Sequence, residues 1–177
     1  MNGVKASVFV GVSLDGFIAR PNGDFDFLPA EGGEPHGYEE FIATVDVIVI
    51  GRKTFETVLS LPEWPYGTKR VVVLSNSTLD LSPVREHPVE QMAGAPAEIV
   101  AKLASQGARH LYIDGGVTIQ RFLRDGFIQR ITITHVPVLI GNGIPLFGPL
   151  EQDVRLRHLA THTFKSGLVK SEYEVLG

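Results

Sequence analysis

Apolar residues come in short, dense runs separated by glycine, proline and polar residues, and the runs are of strand length. They fall at 6–12, 46–50, 70–74, 109–113 and 128–139, with two more at 154–164 and 168–176. In Val71-Val72-Val73-Leu74 no polar residue alternates with the apolar ones. Such a strand is buried on both faces, as in a sheet covered by helices on each side. The last two segments alternate in part, with Val169, Tyr173 and Val175 on one face, and Lys165-Ser166-Gly167 between them predicts a closing antiparallel hairpin. Helical spacing lies between the strands. It covers 38–45, 95–105 (Ile99, Val100 and Leu103 on one stripe, stopped by Gly107) and 117–124 (Ile119, Phe122 and Leu123). A further helix is expected over 55–60 with Thr54 as its N-cap. The order β-α-β-α-β followed by several strands predicts an α/β fold: a mixed, mainly parallel sheet flanked by helices, with a C-terminal antiparallel hairpin.

The chain has 177 residues. No linker or internal repeat divides it, so residues 1–177 read as a single domain. The most loop-like stretch is 28–37, LPAEGGEPHG, and a loop of that length in a compact domain is often a lid over a site. The net charge of −4 argues against a general nucleic-acid binder, which carries a basic excess. The absence of cysteine removes disulfides, Cys-ligated zinc and iron–sulfur clusters. The apolar run near the N-terminus is too short for a signal peptide, and no run approaches the ~18 residues of a membrane span. A soluble cytoplasmic protein is the default expectation.

Candidate chemistry sits where strands end. In Asp46-Val-Ile-Val-Ile-Gly-Arg-Lys-Thr-Phe-Glu56 an apolar strand gives way to Gly51, Arg52, Lys53 and Thr54. In an open α/β sheet, ligands bind outside the C-terminal ends of the parallel strands. A glycine there admits a close ligand, a helix start offers N–H groups to an anion, and the two cations suit phosphate. The same residues are equally consistent with a capped turn bearing solvated cations. The spacing is not that of a P-loop. A second strand end, at 109–119, runs into Gly115 and Gly116 before a helix beginning near Val117; it reads as a ligand cradle or as a tight turn. A third, Ser75-Asn76-Ser77, offers small polar groups to phosphate or ribose, or simply turns. Three such ends in one sheet fit a dinucleotide better than a lone phosphate. Asp15, in Ser13-Leu14-Asp15-Gly16, could hold a substrate proton or serve as a turn former. The segment 141–147 is either a flap or a glycine-rich bulge, His135 is a strand histidine, and Trp64 is a loop aromatic.

The segments GVSLDGFIA (11–19), VIGRKTFE (49–56), VVVLSNS (71–77), YIDGGVTIQRFL (112–123) and ITHVPVLIGNGIPLF (133–147) together resemble the dihydrofolate reductase-like superfamily. They look closest to stand-alone members of the RibD C-terminal family. The resemblance implies NADP(H) as cofactor, with Gly51, Arg52, Lys53 and Thr54 on its phosphates. Ser75, Asn76 and Ser77 would lie beside the adenosine ribose and 2′-phosphate. Gly115, Gly116, Val117, Thr118 and Ile119 would cradle the pyrophosphate across a cis Gly115–Gly116 peptide, and Val12, Ile18 and Ala19 would border the nicotinamide. It implies Thr134 in the substrate pocket, and Thr134 with Asp15, read from the residues alone, are the catalytic candidates. The first-helix carboxylate of true dihydrofolate reductases would fall near Gly37, where the available groups are Glu34, His36, Glu39 and Glu40. The expected function is reduction of a small nitrogen heterocycle, of pterin or aminopyrimidine type, by a homodimer. The alternative is a nucleotide-binding module of the same fold without turnover.

Overall fold

The computed structural model describes residues 3–29 and 36–177. In chain order the elements are β1 (Lys5–Ser13), β2 (Phe17–Ala19), α1 (Tyr38–Ala43), β3 (Val47–Gly51), α2 (Arg52–Leu59), β4 (Arg70–Leu74) and β5 (Val89–Met92). Then follow α3 (Pro96–Ser105), β6 (His110–Asp114), α4 (Gly116–Arg124), β7 (Arg130–Val136), β8 (Ile144–Pro145), β9 (Leu156–Thr163) and β10 (Val169–Val175). Eight strands form one sheet in the order β5-β4-β3-β6-β1-β7-β10-β9. The first six neighbours in that order run parallel. β10 joins β7 antiparallel, and β9 folds back on β10. Gly167, at φ 92°, makes the hairpin turn where Lys165-Ser166-Gly167 was expected to place one. β2 and β8 form a separate two-stranded ribbon.

The uninterrupted apolar runs are buried on both sides, as their pattern requires. Val47, Val49 and Val72 point into one core with Ile99, Val100 and Leu103 of α3 and Ile119, Phe122 and Leu123 of α4. Ile48, Ile50, Val71 and Val73 point into another, with Phe55 and Val58 of α2 and with Tyr38, Phe41 and Ile42 of α1. Each fully buried Val, Ile or Phe side chain contributes about 1.5–3 kcal/mol, so these two layers fix the sheet in place.

Four expectations need correction. The strand expected over 128–139 is confined to Arg130–Val136. The helix expected over 55–60 begins three residues earlier, at Arg52, with Gly51 as N-cap in extended backbone; Thr54 lies within its first turn. No described peptide bond is cis, so Gly115–Gly116 is trans, and φ of 97° at Gly115 makes the turn instead. β2, β5 and β8 have no counterpart in the sequence reading. Of the expected lid over 28–37, residues 30–35, including Glu34, lie outside the described residues.

Candidate active site

The C-terminal ends of β4, β3, β6 and β1 lie side by side along one rim of the sheet. Two helices start there, α2 after β3 and α4 after β6, and neither has a side-chain cap on its first N–H groups. Glycine lets the two starts interlock. A Cβ on Gly51 would stand 2.7 Å from Thr118 Oγ1, and one on Gly115 would stand 2.5 Å from Thr54 Oγ1. Each helix therefore seats a threonine of its first turn against the glycine that precedes the other. Two sets of unpaired N–H donors, each carrying the positive end of a helix dipole, converge between β3 and β6.

Towards β4, Arg52 donates from Nη1 to Ser77 Oγ (2.5 Å) and from Nε to Glu56 Oε1 (3.0 Å). The loop that carries Ser77 is held from below. Ser75 Oγ donates to Ser77 O (2.8 Å), and Gln91 Nε2 on β5 donates to the carbonyls of Ser75 (3.1 Å) and Ser77 (2.7 Å). Lys53 and Asn76 are exposed beside this cluster. Gln91 is a scaffold residue that the sequence did not single out, since its strand was not recognised.

Towards β1, Gly116 is overlaid by the β2–β8 ribbon. A Cβ there would meet Ile144 Cγ2 at 2.9 Å, Ile18 Cδ1 at 3.2 Å and Pro145 O at 3.3 Å. Ile18 thus borders the rim, and Ala19 is buried where it pairs with Ile144. Val12 and Ile119 do not present side chains to the rim: both belong to the core under α3 and α4. Val117 stands 63% exposed at the start of α4, while Thr118 turns inward to Gly51.

Asp15 has a structural occupation. Its carboxylate accepts from Ser13 Oγ (2.6 Å), Gly141 N (2.8 Å) and Ile140 N (3.3 Å). The Ser13 hydroxyl, followed by these backbone donors, holds it below the ordinary carboxylate range. It pins the turn after β1 to the loop 137–143, and a carboxylate so occupied is a poor proton donor.

Below the rim, on the α1 side of the sheet, a cleft of about 420 Å³ is lined by Phe9, Gly37, Glu40, Phe41, Thr132, Lys170 and Glu172. Register places Thr134 one rung above it, paired with Gly11 on one side and Lys170 on the other, while Thr132 pairs with Phe9 and Glu172. Lys170 Nζ donates to His36 O (2.8 Å) and so fastens the approach to α1. Glu40 puts a helix carboxylate on the cleft three residues beyond Gly37.

One titratable group at the rim escaped the sequence reading. Asp114 ends β6 immediately before the glycine pair, and its Oδ1 accepts from Gly115 N (2.9 Å). Part of it stays open at the rim, while protein packs around its other sides. That desolvation raises its carboxyl above the ordinary range, against smaller opposing effects of the Gly115 N–H and the Tyr112 hydroxyl. Its charge reaches Tyr38, Tyr66 and Tyr112, all raised first by their own burial, Tyr38 to about 12. The available signal was a lone acid closing a strand of buried residues.

An eight-stranded mainly parallel sheet flanked by helices, with an antiparallel closing hairpin, is the dihydrofolate reductase-like fold. The same architecture is found in dihydrofolate reductase from Enterococcus faecalis complexed with NADP(H) and RAB-propyl, at a TM-score of 0.62 with 19% identity, covering 99% of this chain and 96% of that one. The chain belongs to the RibD C-terminal domain family, whose model matches residues 5–170. It is 36% identical over 163 residues to the uncharacterized protein YwjB of Bacillus subtilis (strain 168), covering 90% of this chain and 92% of YwjB. A putative riboflavin biosynthesis protein from Shewanella sp. PV-4 superposes with a TM-score of 0.91 at 36% identity, covering 98% of this chain and all of that one.

Proposed function

We propose that the protein is an NADPH-dependent reductase of a small, flat nitrogen heterocycle of aminopyrimidine or pterin type. One observation carries this reading: two uncapped helix starts, interlocked through Gly51 and Gly115, beside the Arg52–Ser77 pair. Free N–H groups at helix N-termini bind phosphate, and a guanidinium next to a hydroxyl suits a second one. A Cβ at Gly51, Gly115 or Gly116 would push Thr118, Thr54 or the β2–β8 ribbon out of place around this site. The family match and the NADP(H) complex of the fold relative support the same cofactor.

In this reading Arg52, Ser75, Asn76 and Ser77 hold the 2′-phosphate end, with Lys53 beside them. Thr54, Gly115, Gly116 and Thr118 surround the pyrophosphate. Ile18 and the β2–β8 ribbon cover the far end at β1. The cofactor, when bound, supplies the hydride. The chain's contribution is to hold donor and acceptor in register and keep water out. The cleft beneath Thr134 receives the heterocycle, with Phe9 and Phe41 as apolar walls and Glu40, Thr132, Lys170 and Glu172 as polar partners.

Arg52→Ala tests the placement. A charge-assisted contact contributes about 1.5–3 kcal/mol, so NADPH affinity should fall roughly 10- to 100-fold while NADH affinity stays nearly unchanged. Fluorescence titration of both coenzymes reads this directly. Equal losses for the two, or none, would remove Arg52 from the 2′-phosphate. Turnover is checked by following NADPH absorbance with dihydrofolate and with 5-amino-6-ribosylaminouracil phosphate. The alternative, a nucleotide-binding module without turnover, draws support from the occupied state of Asp15. It predicts NADPH binding with no oxidation in either assay.

A further inference from the structure

The order of the rim gives a bound dinucleotide a direction. Arg52 and Ser77 lie at β3 and β4, the paired helix starts between β3 and β6, and the next strand along is β1. On the proposed reading, a molecule anchored by its 2′-phosphate at one end and its pyrophosphate in the middle carries its ring past the end of β6 towards β1. Asp114 is the last residue of β6. It shares a face of the sheet with Tyr112, two residues earlier, which lies in the core beneath α1 and α2. That is also the face of the cleft, since Phe9 and Phe41 pack against the same core. Asp114 therefore stands between the ring and the cleft.

Its surroundings contain little that could neutralise a charge. The paired residue on β3 is Ile50. Phe55 and Val58 are what α2 turns to this core. The titratable groups that feel Asp114 are Tyr38 of α1, Tyr66 of the loop after α2 and Tyr112 of its own strand, all neutral near pH 7. The Tyr112 hydroxyl donates to Phe9 O (3.1 Å). No cationic side chain is among the groups that set the titration of Asp114. What remains for the carboxylate is the Gly115 N–H, the Tyr112 hydroxyl and whatever occupies the rim.

We propose that Asp114 is the proton donor of this site and that its protonation follows the charge of the nicotinamide: protonated beside the neutral reduced ring, ionised beside the cationic oxidised one. The inference rests on the reductase reading above. In turnover the substrate gains a hydride at one atom and the Asp114 proton at its neighbour. The acid is left as a carboxylate facing a pyridinium, and it recovers a proton from solvent once the oxidised coenzyme leaves. Hydride, proton and charge balance without any further reagent.

The consequence can be measured without a substrate. The affinities of NADP⁺ and NADPH are titrated from pH 5 to 8.5, and their ratio is taken at each pH. The 2′-phosphate is common to both coenzymes and largely cancels in the ratio. NADP⁺ should gain on NADPH by about tenfold as pH rises, since an opposite charge nearby shifts such a group by about one unit or more. In Asp114→Asn the ratio should be flat. In the parent, difference infrared spectra should show a protonated carboxyl band with NADPH that is absent with NADP⁺. A pH-independent ratio in the parent overturns the proposal, and so does a parent-like slope in Asp114→Asn. Should that variant misfold, the parent's ratio and infrared band decide alone. If neither coenzyme binds the parent, the reductase reading itself fails, and the two failures are thereby told apart.

Discussion

At the scale of single residues, the site depends on what two glycines leave out. A side chain at 115 would meet two obstacles at once: backbone at φ 97°, where L-residues are strained, and Thr54 Oγ1 at 2.5 Å from the new Cβ. Gly115→Ala should lower stability by about 1–3 kcal/mol, the usual cost of such strain. Thermal melting should show a drop of several degrees, and the coenzyme should bind more weakly because Thr54 is displaced from the second helix start. A melting point equal to the parent's would mean that α2 and α4 are not braced against each other as described. Asp15 illustrates how a residue can mislead. An Asp-Gly pair after a strand suggests either a turn former or a catalytic group, and the carboxylate instead accepts from three donors in two segments far apart in sequence. Asp114 shows in the sequence only as a lone acid closing a strand of buried residues, and the face it occupies is fixed by the assembled sheet.

At the scale of elements, long apolar runs were readable and edges were not. β3, β4 and β6 are buried on both faces, so their sequences are unbroken runs whatever the neighbours. β5 is an edge strand of mixed character, Val-Glu-Gln-Met, and β2 and β8 have three and two residues; none carries a period to detect. Threonine is a good cap, which makes Thr54 the expected N-cap of α2. The helix instead starts at Gly51, with no side-chain cap on its first N–H groups. The end of α1 is governed by a tertiary contact. His110, 8% exposed, bonds Ser7 Oγ through Nε2 (2.8 Å) and the Thr44 carbonyl through Nδ1 (3.0 Å), tying the C-terminus of α1 to β1 and β6. Burial lowers its pKa below the ordinary 6.5. The folded state then binds fewer protons than the unfolded one between the two values, so this contribution is present above about 6.5 and is lost as pH falls through the depressed folded value. Asp15, Asp46 and Asp80 are lowered from 3.8 and lose their contributions only in stronger acid. Asp114, raised, acts in the opposite sense over its own range. Melting temperature should therefore fall between pH 7.5 and 5.5, and His110→Gln should flatten that dependence. A parent curve flat over this interval would dissociate His110 from it.

At the scale of the whole molecule, the fold class followed from the alternation of strands and helices, and the three polar strand ends do meet on one rim. What the rim holds was not legible from composition. No helix among the described residues is long and apolar enough to cross a membrane. For the expected homodimer, the β9 edge of the sheet offers a seat. β9 closes the sheet with its outer ladder unpaired among the described residues, and with Leu156 and Leu159 38% and 40% exposed. An edge of this kind is usually covered in a stable protein. The expected homodimer would cover it with a second copy, so light scattering should give twice the chain mass and Leu159→Arg should give one. A monomeric parent at micromolar concentration would rule that arrangement out.

The reciprocal fit of Thr118 against Gly51 and Thr54 against Gly115 has a consequence for how such chains can change. Neither helix start can shift without pushing on its counterpart, so the socket stands at its final dimensions before any guest arrives, and ordering it takes nothing from the guest's affinity. It also means that the four positions form one mechanical unit. A methyl group added at 51 calls for the hydroxyl at 118 to go, so Gly51→Ala should be tolerated far better together with Thr118→Ala than alone.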